Sequence, residues 1–143
     1  MQRDPQAPEV DLLQITAPIL NSTGGGFTIT LRNAGKSPAL DVRIRDVIRI
    51  ENVDEPFQTP PFDGAPSLAA GTLMPGADFN TIAGFRASPA IVTALREGKV
   101  RAVNYMMVSY DDQFRSPHTT QRCFYWHTGL QSPVACDRYN REE

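Results

Sequence analysis

From Phe27 to Arg32 apolar and polar side chains alternate without a break, with Phe27, Ile29 and Leu31 on one side and Thr28, Thr30 and Arg32 on the other. A period of two sends successive side chains to opposite faces of an extended chain, so this segment reads as a strand with one buried face. The same period returns at Leu40, Val42 and Ile44, set against Asp41, Arg43 and Arg45. Twelve prolines and ten glycines punctuate the 143 residues, too many for long helices and spaced so as to end strands. The chain therefore predicts an all-β fold, an immunoglobulin-like β-sandwich of about seven strands with one short helix before the penultimate strand.

The first strand is expected over residues 9–20, with Leu13, Ile15, Ala17 and Ile19 on its inner face and Pro18 marking an edge. Asn21-Ser-Thr-Gly-Gly-Gly26 reads as a turn throughout. It is no phosphate loop, because the Lys-Ser/Thr ending is missing. Asp46 would fall on the apolar face of its strand, which predicts a bulge near Arg45-Asp46 that returns the carboxylate to solvent. Met74-Pro-Gly76 turns the chain into a strand over Asp78–Arg86. Ser88 and Pro89 then open a helix, as N-cap and first helical residue, that carries Ile91 and Leu95 and stops at Gly98. Residues 100–110 are apolar on both faces and predict a central strand, and 118–127 form a last one. The sandwich domain spans 9–136; residues 1–8 read as a linker left by a removed signal or anchor, and 137–143 as a charged tail that frays.

A formal net charge of −2 offers nothing to nucleic acid or to an acidic membrane surface, and no run approaches the roughly 20 apolar residues that a membrane helix needs. His118 and His127 have opposite parity on one strand and point to different faces. Asp111 and Asp112 read as turn formers, and no serine stands in a G-x-S-x-G elbow. The expectation is a protein that is not an enzyme, with no catalytic, metal or cofactor-binding residues.

Residues 51–66 hold four prolines and two large apolar side chains, Phe57 and Phe62. In so long a loop these are anchors onto the sandwich or a contact patch. Arg43, Arg45 and Arg49 share the outer side of one strand, as a solvated face or a basic ladder. Phe57, Phe62, Arg43 and Arg45 are thus the candidate partner contacts. The alternative is a small-ligand or carbohydrate-binding module that uses Tyr105, Trp126 and Phe57 as exposed aromatics around a groove.

Cys123 and Cys136 flank a segment with Gly129 and Pro133; by spacing alone a disulfide and two reduced thiols are both open. Several short signals carry a resemblance: Leu31-Arg-Asn-Ala-Gly35 followed by Pro38-Ala39, the Leu73-Met-Pro-Gly76 turn, Val108-Ser-Tyr-Asp-Asp112-Gln-Phe114, the strand from Thr119 to Phe124, and the Cys136-Asp-Arg-Tyr-Asn140 ending. In these the chain resembles bacterial membrane-anchored proteins of uncharacterised function whose β-sandwich lies outside the membrane after N-terminal transmembrane helices. The resemblance implies a periplasmic or cell-surface location, an anchor outside this chain, a Cys123–Cys136 disulfide, and an envelope or membrane protein as partner. It implies no catalytic residue.

Overall fold

The computed structural model describes residues 6–60 and 62–143. Residues 1–5, most of the expected linker, and Pro61, in the long loop, lie outside the described residues. The chain forms a two-sheet antiparallel β-sandwich with ten strands and one helix among the described residues. In the first sheet β3 (Gly24–Asn33) is flanked on one side by β1 (Val10–Ile15) and β2 (Ile19–Asn21), and on the other by β6 (Asp78–Arg86). In the second, β8 (Pro117–Trp126), β7 (Val100–Asp111), β4 (Ala39–Asn52) and β5 (Leu68–Leu73) follow in that order, with β9 (Val134–Ala135) and β10 (Arg141–Glu142) beside β8. Helix α1 (Pro89–Arg96) precedes β7, the penultimate of the long strands.

This order reproduces the A-B-E and G-F-C-C′ sheets of an immunoglobulin-type sandwich. The D strand that pairs with E in constant-type domains has no counterpart, because residues 74–77 lead directly from β5 to β6.

Alternation builds the core. Phe27, Ile29 and Leu31 from β3 meet Val42 and Ile44 from β4 and Ala102, Met106 and Val108 from β7, all buried. The other face of β7 is buried too, with Val103 and Tyr105 in a second cluster outside the sandwich that holds Phe62, Cys123 and Cys136. The helix begins as the sequence predicts: Ser88 Oγ accepts from the Ile91 N–H at 3.3 Å, and Pro89 opens the first turn. At its far end Thr128 Oγ1 donates to the Leu95 carbonyl at 2.7 Å.

Five local expectations are corrected. Residues 9–20 are not one strand with Leu13 and Ile19 inward: a register shift between Leu12 and Gln14 and a break at Pro18 reverse the phase twice. Val10, Leu12, Ile15 and Leu20 therefore pack inward, while Leu13 and Ile19 are exposed. The glycines 24–26 belong to β3 rather than to a turn. A Cβ on Gly24 would stand 2.0 Å from the Phe85 carbonyl oxygen and one on Gly25 2.7 Å from Leu20 Cδ2, so they are glycines because neighbouring strands crowd them. The bulge in β4 lies at Asp41-Val42, where the pairing with β7 jumps from Leu40 to Arg43 and Asp41 takes φ 50°. From Arg43 to Asn52 the register is unbroken, and Asp46 points inward. The charged tail is docked rather than frayed: β10 pairs with β8, and the Glu143 and Thr119 backbones exchange hydrogen bonds at 2.8 and 2.9 Å. At the other end Pro8 is buried and Ala7 accepts from the Lys36 N–H at 3.3 Å, so these residues of the expected linker belong to the folded body.

Candidate functional site

Part of the outer face of the β8-β7-β4-β5 sheet is covered by Phe57 and Phe62 of the loop after β4, the two side chains that the sequence reads as anchors or a contact patch. Phe62 is buried, and Phe57 packs against both the Arg101 guanidinium, 3.8 Å above its ring, and the Tyr125 ring, with centroids 5.5 Å apart. Arg101 is itself buried. It donates to the Glu55 carbonyl at 2.6 Å and stands 3.6 Å from Glu51, whose other oxygen accepts from Tyr105 Oη at 2.7 Å. Burial and the neighbouring Glu51 carboxylate push the Tyr105 hydroxyl far above its ordinary pKa, so it stays a donor. The arrangement is a clamp, in which one arginine fastens the loop by cation–π contact and by its carbonyls. Both phenylalanines are therefore anchors, and neither forms an exposed patch.

Arg43 and Arg45 lie exposed on the outer side of β4, as their parity requires; Arg43 pairs with Asp41 at 3.3 Å, and the next arginine, Arg49, donates to Gln58 at 3.1 Å. They share the outer face onto which Phe57 and Phe62 pack, with Arg49 tied to the loop, but both rings are taken up as anchors, so the four make no single exposed patch. Tyr105 and Trp126 are buried, on opposite faces of the sheet, and Trp126 Nε1 donates to the Leu130 carbonyl at 2.9 Å. The three aromatics therefore line no common groove.

Cys123 and Cys136 are joined in a disulfide, which is compatible with an oxidising, extracytoplasmic location. Asn140 braces it: its Oδ1 accepts from the Cys123 N–H at 3.1 Å and its Nδ2 donates to the Cys136 carbonyl at 3.0 Å. Asp112 closes the β7–β8 turn by accepting from the Phe114 and Ser116 N–H groups, and its second oxygen meets His118 at 3.0 Å. These contacts, His118 first, hold its pKa below the usual carboxylate value. His127 stacks on Tyr125 away from His118. Among the described residues no three His, Cys, Asp or Glu side chains gather as metal ligands.

What the structure leaves open is the side of the sandwich between β5 and β6, which belong to different sheets and do not pair. β6 pairs in unbroken register with β3 over nine residues, and among the described residues no strand pairs with its other edge. Natural sheets guard such edges with charge, proline or bulges. Here Asp78 and Arg86 stand only at the ends, and Phe79-Asn-Thr-Ile-Ala-Gly-Phe85 between them carries neither charge nor proline. The outer face beside this edge is also uncovered: Ile82 is 71% and Ile19 83% exposed, on either side of Gly26.

Under the edge, between the sheets, lies a cavity of about 360 Å³ lined by Ile44, Ile48, Leu68, Thr81 and Ala83, with Asp46 in its wall. Past Ile44 β5 has ended, so Asp46 sits where β4 has only β7 for a partner. Burial pushes its pKa from 3.8 up to about 6, with the adjacent Asn104 amide pulling the other way. Yet Asp46 Oδ1 and Asn104 Nδ2 are both buried without a hydrogen-bond partner. Such orphaned groups are costly in a sandwich interior.

No protein-family model, curated protein or solved structure gives a significant match to this chain. The site emerges from geometry alone. Its one sequence signal is the break in alternation at Asp46, which the sequence reading turns outward through a bulge that the chain instead makes five residues earlier, at Asp41. Arg101 and Glu51, facing each other across β7 and β4, carry no mark in the sequence that separates them from solvated charges.

Proposed function

We propose that this is a non-enzymatic, extracytoplasmic protein-interaction domain of a membrane-anchored envelope protein, and that it receives an extended segment of its partner as an added strand along β6. The observation that carries the reading is the uncharged, regular edge of β6, unpaired among the described residues, above an open inter-sheet cavity. Strand addition draws affinity from main-chain hydrogen bonds and specificity from pockets for alternate side chains, and this edge offers both. The location is supported by the disulfide and by the resemblance to anchored envelope proteins. The clamped loop supports a division of labour, in which Phe57 and Phe62 close part of one sheet's outer face and the β6 edge is left to the partner.

The test is site-specific photo-cross-linking in the native host, with the photoreactive residue placed at Ile82 beside the edge, and at two exposed controls, Leu13 on the far side of β3 and Phe114 in the β7–β8 turn. The expected product is an adduct from position 82 alone, mapping to one extended segment of an envelope or membrane protein. Equal adducts from all three positions, or none from 82, would count against the proposal.

A further inference from the structure

The geometry points to Asp46, with Asn104 beside it, as the specificity determinant of this edge: the added strand must carry an inward lysine or arginine. This rests on the strand-addition reading and names what the strand brings. Residues added beside β6 continue the first sheet, so every second side chain points into the cavity. Opposing sheets stand about 10 Å apart, and Asp46 is on the far one, next to β4's unpaired stretch. A short polar side chain falls short of it. A lysine or arginine lays its aliphatic stem along Ile44, Ile48 and Leu68 and brings its charged head to the Asp46 carboxylate.

Charge complementarity selects this occupant. Oδ1 of Asp46 is buried and lacks a donor, and none of the other residues lining the cavity is titratable or charged. An apolar strand would bury the carboxylate completely with nothing to neutralise it, at a cost of a kind that rejects wrong partners. The same carboxylate thus repels chance strands, as inward charges near edges do, and accepts one that supplies a cation. A second copy of this chain does not meet the requirement. The inward residues of β6 are Phe79, Thr81, Ala83 and Phe85, and a self-paired edge brings no cation to Asp46.

The test is selection of a randomised peptide library, about seven residues long to match a typical strand, on the full chain and on Asp46→Asn, with β6 amide protection as the readout of where the peptides lie. The wild-type chain is expected to enrich alternating, β-branched sequences with one lysine or arginine at a fixed position. Replacing that residue by norleucine in a selected peptide weakens binding to wild type at least about tenfold, while binding to Asp46→Asn changes less than about twofold. Peptides that protect β6 without a basic preference, or with one that persists in Asp46→Asn, overturn this inference and leave strand addition standing. Failure to select any peptide that protects β6 overturns both. Concentration-dependent dimers with β6 protected and no peptide bound overturn the choice of occupant.

Discussion

Replacing Asp46 by asparagine keeps the shape of the side chain and removes its charge, and the structure fixes how the consequence depends on pH. Folding raises this carboxyl from 3.8 to about 6 because burial disfavours the ionised form. Below the unfolded value both states are protonated and the site costs nothing. As pH rises through the window from 3.8 to about 6 the unfolded chain ionises first, so wild-type stability falls; above about 6 the full penalty is present. A displacement of this size corresponds to roughly 3 kcal/mol. Asparagine has its own cost from imperfect hydrogen bonding, but that cost does not titrate. The difference in unfolding free energy between Asp46→Asn and wild type should therefore move in favour of the variant by about 2.5 kcal/mol from about pH 4 to about pH 7.5. Urea denaturation followed by Trp126 fluorescence measures it, and the other titrating groups cancel in the comparison. An interval between the two midpoints that is the same at both pH values, or one that shifts towards wild type at the higher pH, would refute the inward, desolvated carboxylate. A stabilised but partner-blind variant is the expected signature of a charge kept for binding at the expense of the fold.

Arg101→Met removes the guanidinium that contacts both Phe57 and Tyr125 and leaves Glu51 buried beside Tyr105. It should cost about 3–5 kcal/mol and expose residues 53–67 to limited proteolysis while β6 stays protected. Cys123→Ser is expected to lower stability by roughly 3 kcal/mol through the lost loop constraint, read in chemical denaturation. Thiol trapping of the wild-type protein from its host, with intact-mass analysis, should find both cysteines protected until reductant is added. Gly24→Ala forces a Cβ onto the Phe85 carbonyl at a backbone with φ 148°; a loss of about 2–4 kcal/mol in thermal unfolding is expected, whereas Gly64→Ala, where no atom lies near, loses less because only its φ of 75° resists.

The parts of the fold that the sequence makes legible are those in which one signal dominates. Strict alternation places β3 inward at Phe27, Ile29 and Leu31, and a two-sided apolar run places β7 between β4 and β8. Ser88-Pro89 starts the helix on its own, because capping is local chemistry. Legibility fails where side chains give no period. β5, Leu-Ala-Ala-Gly-Thr-Leu, has almost no β-branched content and is a strand only because β4 pairs with it. The glycines 24–26 look like a turn until the crowding of β2 and β6 is visible. β9 and β10 exist through the disulfide and Asn140, which tie the tail to β8. The same holds for the site. Phe57 and Phe62 are recognisable as anchors, but not what they anchor to; the break in period at Asp46 is plain, but whether a bulge or a buried charge resolves it is decided by register with β7, a long-range property.

The most direct measurement of the central claim is residue-resolved amide hydrogen exchange on the full chain, with and without a peptide selected on it. An added strand donates to and accepts from the half of the β6 backbone that faces away from β3. The account predicts that alternate amides between Asp78 and Arg86 slow by at least about tenfold, with β1 and residues 53–67 unchanged. Protection confined to residues 53–67 or to the outer face of β4, with β6 exchanging as before, would contradict it.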